Sequence, residues 1–385
     1  MSNAPANLKG LEDLLSRGYS LSILNAHLVV NDVWYVNHAG ELAKGSLGAP
    51  LTLDEEDKVG APKNHQMYWS GSAPHFADGT PVPLGAAKVD NVSIGGTEYP
   101  WHLSNKPPEG FAIYTGLIEH YVALISGPAE QKFSVTPRTG AVYEVSEDAS
   151  PFKVADTFSA RAEITDLNAH LANERVAIIG LGGTGGFVLD FMVKTPVYSI
   201  DAFDFDAFAV HNGFRAPGEI PFDMFGQAKT ALYRRKYDAF RHRLHFHQLR
   251  VGACDAERFA NITFAFICID DGESRAEICA MLRTLGVPFI DVGMGVEKEN
   301  GRLDGLVRTT LFDETTYDRA IADVPLDKDE GEGAYRTFVQ IAELNALNAA
   351  LAVIRYKQMR GFYADDAGLF NSLFSVGLSK MMGAA

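Results

Sequence analysis

Cysteine is scarce in this chain of 385 residues, and the few cysteines form no pattern that binds zinc or builds a disulfide framework. The three are Cys254, Cys268 and Cys279, with no CxxC pair among them. Zinc knuckles and small disulfide scaffolds both need closely spaced thiols, so neither class is indicated. A reduced, cytoplasmic setting is the simplest expectation.

Basic residues are outnumbered, with 34 Lys and Arg against 49 Asp and Glu and a net charge of −15. Such a charge argues against binding nucleic acid or an anionic membrane over a broad face, although it allows a local basic pocket. No apolar run reaches the roughly 18 residues that span a bilayer. The opening MSNAPANLKGLEDLL has no basic flank and no apolar segment, so we expect no secretory signal.

The length predicts two domains, and the texture of the chain changes near residue 155. Residues 1–155 contain short β-branched and aromatic segments between Gly- and Pro-rich turns, which predicts a smaller α+β domain. An amphipathic helix is predicted over residues 116–129, ending at Gly127. We interpret this domain as a recognition or dimerisation domain.

Residues 156–385 alternate apolar strands with helices, which predicts an α/β domain with a doubly wound, mostly parallel, Rossmann-like sheet. A helix is predicted over residues 161–174, followed by the buried strand RVAIIG. The glycine-rich turn GLGGTGG then leads into another helix. Glycine lets the backbone approach a phosphate closely, and a helix N-terminus offers free N–H groups. The predicted phosphate-binding glycines are Gly180, Gly182, Gly183 and Gly185.

The glycines alone do not distinguish an NAD-binding site from an ATP-binding site. The polar residues that follow them are therefore needed to distinguish the two. Asp204 lies at a predicted strand end, where an acidic residue holds ribose hydroxyls in dinucleotide sites. Asn212, Arg215 and Lys229 follow it, and Asp270 ends a later strand. Two cations and a carboxylate that can hold Mg²⁺ suit a triphosphate better than a nicotinamide. The alternative for Asp270 is that it caps the next helix.

The motifs GLGGTG, DFD, HNGFR, GQAK and CIDD occur in that order between about residues 156 and 312. In this order and spacing the region resembles the ThiF/MoeB and ubiquitin-activating adenylation family. The resemblance implies ATP and Mg²⁺ as cofactors, with Asp204 on the ribose, Arg215 and Lys229 on the phosphates, and Asp270 on the metal. It also implies that Arg161, in the helix before the glycines, reaches across a homodimer. The remaining implied nucleotide-binding residues are Asp206 and Asn212.

The activity implied by the resemblance is adenylyl transfer. The C-terminal carboxylate of a ubiquitin-like or sulfur-carrier β-grasp protein attacks the α-phosphorus of ATP, which gives an acyl-adenylate and pyrophosphate. The carboxylate is already ionised near pH 7, so no protein base is required. The implied partners are this carrier, a second copy of the chain and a conjugation-type protein.

The chain departs from the family at its cysteines. Many members carry two CxxC pairs for zinc, and thioester-forming members carry a late cysteine, whereas no cysteine follows Cys279 here. Cys268 and Cys279 lie in apolar segments and are expected in the core, and Cys254 is expected to be exposed. Adenylation is therefore expected and thioester formation is not. Two other functions stay open: a non-catalytic nucleotide-binding scaffold of the same fold, and an NAD-dependent oxidoreductase.

Overall fold

The computed structural model describes residues 10–323 and 339–384, except residues 55–57, 141, 143, 144, 149 and 163. For residues 160, 161 and 299 only the backbone is described. The chain divides into two compact units, one up to Thr165 and one from Asp166. Within the described ranges, no helix combines the length and apolarity that a bilayer crossing needs.

The first unit is an antiparallel sheet with a long helix against it. Its strands are β1 (Ser20–Leu24), β2 (His27–Val36), β3 (Leu42–Pro50), β4 (Gln66–Trp69), β5 (Ala87–Lys88), β6 (Ser93–Ile94), β7 (Thr97–Glu98) and β8 (Trp101–Ser104). Its helices are α1 (Glu12–Ser16), α2 (Tyr114–Phe133) and α3 (Thr157–Arg161). The main sheet has the order β1-β2-β3-β4-β8-β5, and β6 and β7 form a separate hairpin.

The predicted end of the long helix at Gly127 is wrong, because α2 continues through Pro128 and ends at Phe133. Proline removes one helical hydrogen bond, and this usually ends or kinks a helix. Here tertiary contacts oppose that cost. The hydroxyl of Ser126 donates a hydrogen bond of 2.7 Å to the carbonyl of Trp34 on β2, and Ala129 beyond the proline is fully buried. Packing on the sheet thus overrides the local signal.

The second unit contains eight strands and six helices among its described residues. The strands are β9 (Arg175–Ile179), β10 (Ser199–Phe203), β11 (Leu244–His247), β12 (Phe264–Ile267), β13 (Phe289–Glu299), β14 (Arg302–Phe312), β15 (Asn371–Ser375) and β16 (Lys380–Ala384). The helices are α4 (Gly183–Met192), α5 (Val210–Gly213), α6 (Lys229–Tyr237), α7 (Gly272–Leu285), α8 (Tyr317–Ala320) and α9 (Ala342–Met359). Turns of 3₁₀ helix lie at Asp166–His170, Phe222–Met224, Ala253–Phe259 and Ile321–Asp323.

These strands form one sheet in the order β11-β10-β9-β12-β13-β14-β15-β16. Neighbours from β11 to β13 are parallel, and those from β13 to β16 are antiparallel. Both faces are buried: on β9, Val176 and Ile178 pack with α4 and α9, whereas Ala177 and Ile179 pack with α7. The prediction of a mixed α/β fold with parallel strands is therefore confirmed.

The helix predicted over residues 161–174 is wrong: among the described residues of that range, α3 ends at Arg161 and only the 3₁₀ turn Asp166–His170 follows. The end of this segment must adopt an extended backbone, because β9 begins at Arg175. The carboxylate of Glu174 lies 2.9 Å from Nε of Arg360, and its carbonyl accepts the N–H of Tyr198 at 2.8 Å. These bonds fix the end of the segment in a non-helical path.

The glycine loop joins β9 to α4 and requires glycine for two different reasons. Gly180 has φ of +91°, a conformation that side chains with a Cβ rarely adopt. Gly185 lies in the first turn of α4, where an added Cβ would lie 1.8 Å from the carbonyl oxygen of Gly180. Gly182, the N-cap residue, has open space around its Cβ position. The close approach of α4 to the end of β9 therefore depends on Gly185.

We expect Gly185→Ala to lower the free energy of unfolding by about 2–3 kcal/mol, because the added methyl forces α4 away from the strand. Gly182→Ala should cost less than about 1 kcal/mol, since only the weaker capping preference of alanine opposes it. Urea denaturation of the two variants measures both values. Equal losses would show that the loop does not pack as described.

Candidate functional site

A cavity of about 1340 Å³ opens where the carboxyl ends of β9, β10 and β12 meet. Parallel α/β sheets bind ligands at this edge. The predicted site residues that line it are Gly180, Gly182, Gly183, Asp204, Asp206, Asn212, Arg215, Lys229 and Asp270. Gly185 does not line the cavity and acts through the packing of α4. Residues that are far apart in the sequence thus lie together at one cavity of the second unit.

Asp204 ties the glycine loop to the end of β10. Its side chain is 5% exposed, and both carboxylate oxygens accept backbone hydrogen bonds. Oδ2 accepts the N–H of Leu181 at 2.7 Å, and Oδ1 accepts the N–H of Asp206 at 2.8 Å. A buried carboxylate needs such partners, because an unpaired charge is costly away from water. Asp204 therefore fixes the loop in addition to any contact with a ligand.

Lys229, the first residue of α6, shares its charge between two carboxylates. Its Nζ lies 2.8 Å from Oδ2 of Asp206 and 3.3 Å from Oδ2 of Asp204. The side chain of Lys229 is 8% exposed, whereas that of Asp206 is 49% exposed. An anion in the cavity would therefore meet a lysine that is already paired, with Asp206 as the more accessible of its two partners.

Arg215 differs from Lys229 because its side chain has no hydrogen-bond or ion-pair partner among the described residues. Its buried Nε makes no hydrogen bond, and the guanidinium forms no ion pair with them. Asn212 shapes the turn that carries it: the side-chain oxygen accepts the N–H of Ala209 at 2.8 Å, which closes the short helix α5. Buried N–H donors are normally satisfied, so an unpaired arginine facing a cavity indicates a place for an anion.

Asp270 and Asp271 follow β12 and have separate roles. Asp271 is the N-cap of α7, and its Oδ2 accepts the N–H of Ser274 at 2.9 Å. Hydrogen bonding with the side chain of Ser274, and then with its N–H, lowers the pKa of the Asp271 carboxyl group. The helix-capping alternative for Asp270 is therefore wrong. The carboxylate of Asp270 is exposed to the cavity and forms no hydrogen bond or ion pair with the described residues.

Two further residues at the cavity escaped the sequence analysis. Nη2 of Arg250 donates to Oδ2 of Asp271 at 3.0 Å, and its guanidinium lies 5.5 Å from the ring centre of Phe205. Asn345 on α9 accepts a 2.8 Å hydrogen bond from the Thr184 hydroxyl. Asn345 is 1% exposed, and an asparagine among the buried alanines and valine of α9 is the signal that could have revealed it.

The remaining predicted residues are Arg161 and the three cysteines. The backbone of Arg161 ends α3 in the first unit, and its side chain lies outside the described part, so its role stays a prediction. Cys279 is buried and Cys254 is exposed, as predicted, whereas Cys268, predicted in the core, is half-buried because it packs against the core beside the cavity. Burial raises the pKa of the Cys279 thiol to about 12, and burial also raises that of Cys268, which borders the cavity.

No group of three or more His, Cys, Asp or Glu side chains suited to a metal occurs in the part of the chain that the structure describes. A divalent cation beside Asp270 would therefore need oxygen ligands from a bound molecule. Mg²⁺ is commonly held in this way, by one or two carboxylates together with substrate phosphates and water.

A family model described as Domain of unknown function (DUF6791) matches residues 9–157. No curated protein matches the chain. Among solved structures, E. coli MccB with MccA is similar at a TM-score of 0.48 and 17% identity, over 57% of this chain and 66% of that one. E. coli MccB with ATP has 0.45 and 16%, over 57% and 65%, and PaaA has 0.43 and 14%, over 57% and 75%. The chain spans less than two thirds of these MccB chains. Because the TM-scores are below 0.5, the function is argued from the geometry of the site alone.

Proposed function

We propose that the chain is an ATP-dependent adenylyltransferase that activates the C-terminal carboxylate of a ubiquitin-like or sulfur-carrier protein. The observation that carries this proposal is a pair of opposite charges, neither of which has a side-chain partner among the described residues. The Arg215 guanidinium and the Asp270 carboxylate line the same cavity as the glycine loop. A triphosphate with a divalent cation supplies an anion for the first and a cation for the second.

In this proposal the phosphates lie at the N-terminus of α4, where backbone N–H groups and the helix dipole favour negative charge. Arg215 binds them directly. Lys229 joins by giving up its contact with the more exposed Asp206 and keeping the buried Asp204. The ribose hydroxyls lie beside Asp204 and Asp206, next to the end of β10.

Asp270 is the proposed ligand of Mg²⁺. Its exposed carboxylate has no partner in the part of the chain that the structure describes, which fits that role. When bound, the metal neutralises charge on the phosphates, including the pyrophosphate that leaves. Neither Asp271, which caps α7, nor Asp204, which holds the glycine loop, is free to replace it.

The chemical step needs positioning and charge neutralisation. An oxygen of the substrate carboxylate forms a bond to the α-phosphorus, and the bond from that phosphorus to the bridging oxygen breaks. The electron pair leaves with pyrophosphate. The carboxylate carries no proton near pH 7, so no side chain acts as a base. Arg215 and Lys229 stabilise the charge on the phosphates during the transfer.

An NAD-dependent oxidoreductase accounts less well for the site, because a nicotinamide end satisfies neither Arg215 nor Asp270. A non-catalytic scaffold would bind ATP and differ only in activity. The adenylyltransferase should catalyse ATP–pyrophosphate exchange that depends on a small β-grasp protein, and the scaffold should not. The proposal includes a homodimer in which Arg161 of one copy serves the site of the other, and a conjugation-type protein as a further partner.

We expect Asp270→Asn to abolish the gain in ATP affinity that Mg²⁺ gives to the wild-type protein, because the metal loses its only protein ligand in this proposal. The matched control is Asp271→Asn, which should keep both the gain and the fold, since asparagine also caps helices well. Calorimetric titration of ATP, with Mg²⁺ and with EDTA, measures the gain. If Asp271→Asn lost the gain and Asp270→Asn kept it, Asp271 would be the metal ligand and the assignment to Asp270 would be wrong.

We also expect activation without a lasting thioester to this chain. Burial raises the pKa of the Cys268 and Cys279 thiols, so these two hold little reactive thiolate. The Cys254 thiol donates to Oδ2 of Asp255 at 3.9 Å and contacts no basic side chain among the described residues. The measurement is a non-reducing gel after incubation with ATP, Mg²⁺ and a carrier protein that supports exchange. A reductant-sensitive adduct that disappears in Cys254→Ser would make Cys254 the nucleophile.

A further inference from the structure

We infer that Arg275 is a positioning residue for Asp270. It holds the end of β12 through the carbonyl of Ile269 and thereby sets the place of the carboxylate that follows. This inference rests on the proposed role of Asp270 in binding Mg²⁺, and it assigns Arg275 no contact with the nucleotide.

The guanidinium of Arg275 connects three elements of the sheet edge. Arg275 lies in the first turn of α7, and its side chain is 9% exposed. Nη2 donates a hydrogen bond of 2.6 Å to the carbonyl oxygen of Ile269. Nε lies 3.1 Å from Oδ1 of Asp291 on β13. One side chain thus ties the residue before Asp270 to a fully buried carboxylate on the neighbouring strand.

Asp291 pairs with two arginines, of which Arg308 is the first and Arg275 the second. Asp291 is 0% exposed, and it also forms an ion pair with Arg308 on β14. Arg308 thus places a positive charge beside Asp291, as Arg275 does. The hydrogen bond to Ile269 gives the second arginine a function that Arg308 does not have, since Arg308 donates to Asp291 and to Thr310.

The residue after Asp270 is held as well. Asp271 accepts hydrogen bonds from Ser274 N–H and from Arg250. The backbone is therefore fixed on both sides of Asp270, whereas the Asp270 side chain is free to meet a cation. Mg²⁺ demands nearly octahedral geometry, so a small displacement of a ligand carboxylate weakens its binding.

The test compares the Mg²⁺ gain, defined as the Kd for ATP in EDTA divided by the Kd in Mg²⁺, across variants of the full chain. We expect Arg275→Met to reduce this gain about 10- to 100-fold, as loss of a residue that orients a metal ligand does. Its Kd in EDTA should stay near the wild-type value. Arg308→Met is the matched control, because it also removes one buried cation from Asp291 but leaves the Ile269 carbonyl bonded.

The outcomes separate the inference from the proposed function. A wild-type protein with no Mg²⁺ gain overturns the metal role of Asp270 and this inference with it. A wild-type gain that Arg275→Met retains overturns the inference alone. So does an equal reduction in Arg308→Met, which would make the ion pair responsible. Thermal melts check that each variant folds, and Arg275→Lys, which keeps the charge beside Asp291, replaces Arg275→Met if the latter is unfolded.

Discussion

The buried carboxylate of Asp204 is the constraint on which the rest of the site depends. A charge with so little exposure must be compensated inside the protein. The N–H of Leu181, the N–H of Asp206 and the ammonium of Lys229 provide that compensation. The same three contacts join the glycine loop after β9, the end of β10 and the start of α6. The Asp204 carboxylate therefore holds these three segments together at the edge of the sheet.

Paired and unpaired charges at this edge have different meanings. Lys229 and Asp271 have protein partners, so each contributes to the fold before any ligand arrives. Arg215 and Asp270 have none among the described residues, and a free protein gains no stability from holding them at a cavity. This contrast, more than the glycines, is what supports a ligand that carries both a negative charge and a bound cation.

The sequence predicted which residues line the cavity better than it predicted the contacts that these residues make. Glycines after a buried strand and polar residues at strand ends identify the edge, because parallel strands bring their carboxyl ends together. Which of Asp270 and Asp271 caps α7 was not predictable, since both types of placement fit the pattern. The helix over residues 161–174 and the end at Gly127 failed because tertiary contacts of Glu174 and Ser126 override local preference. Strands β15 and β16 carried no clear pattern and were missed.

The central claim is that this edge binds ATP with Mg²⁺ rather than a nicotinamide dinucleotide. Calorimetric titration of the full wild-type chain with ATP and with NADH, each with and without Mg²⁺, tests it most directly. The account predicts ATP binding that strengthens with Mg²⁺ and NADH binding that is much weaker and indifferent to the metal. Tight NADH binding together with no Mg²⁺-dependent binding of ATP would contradict it.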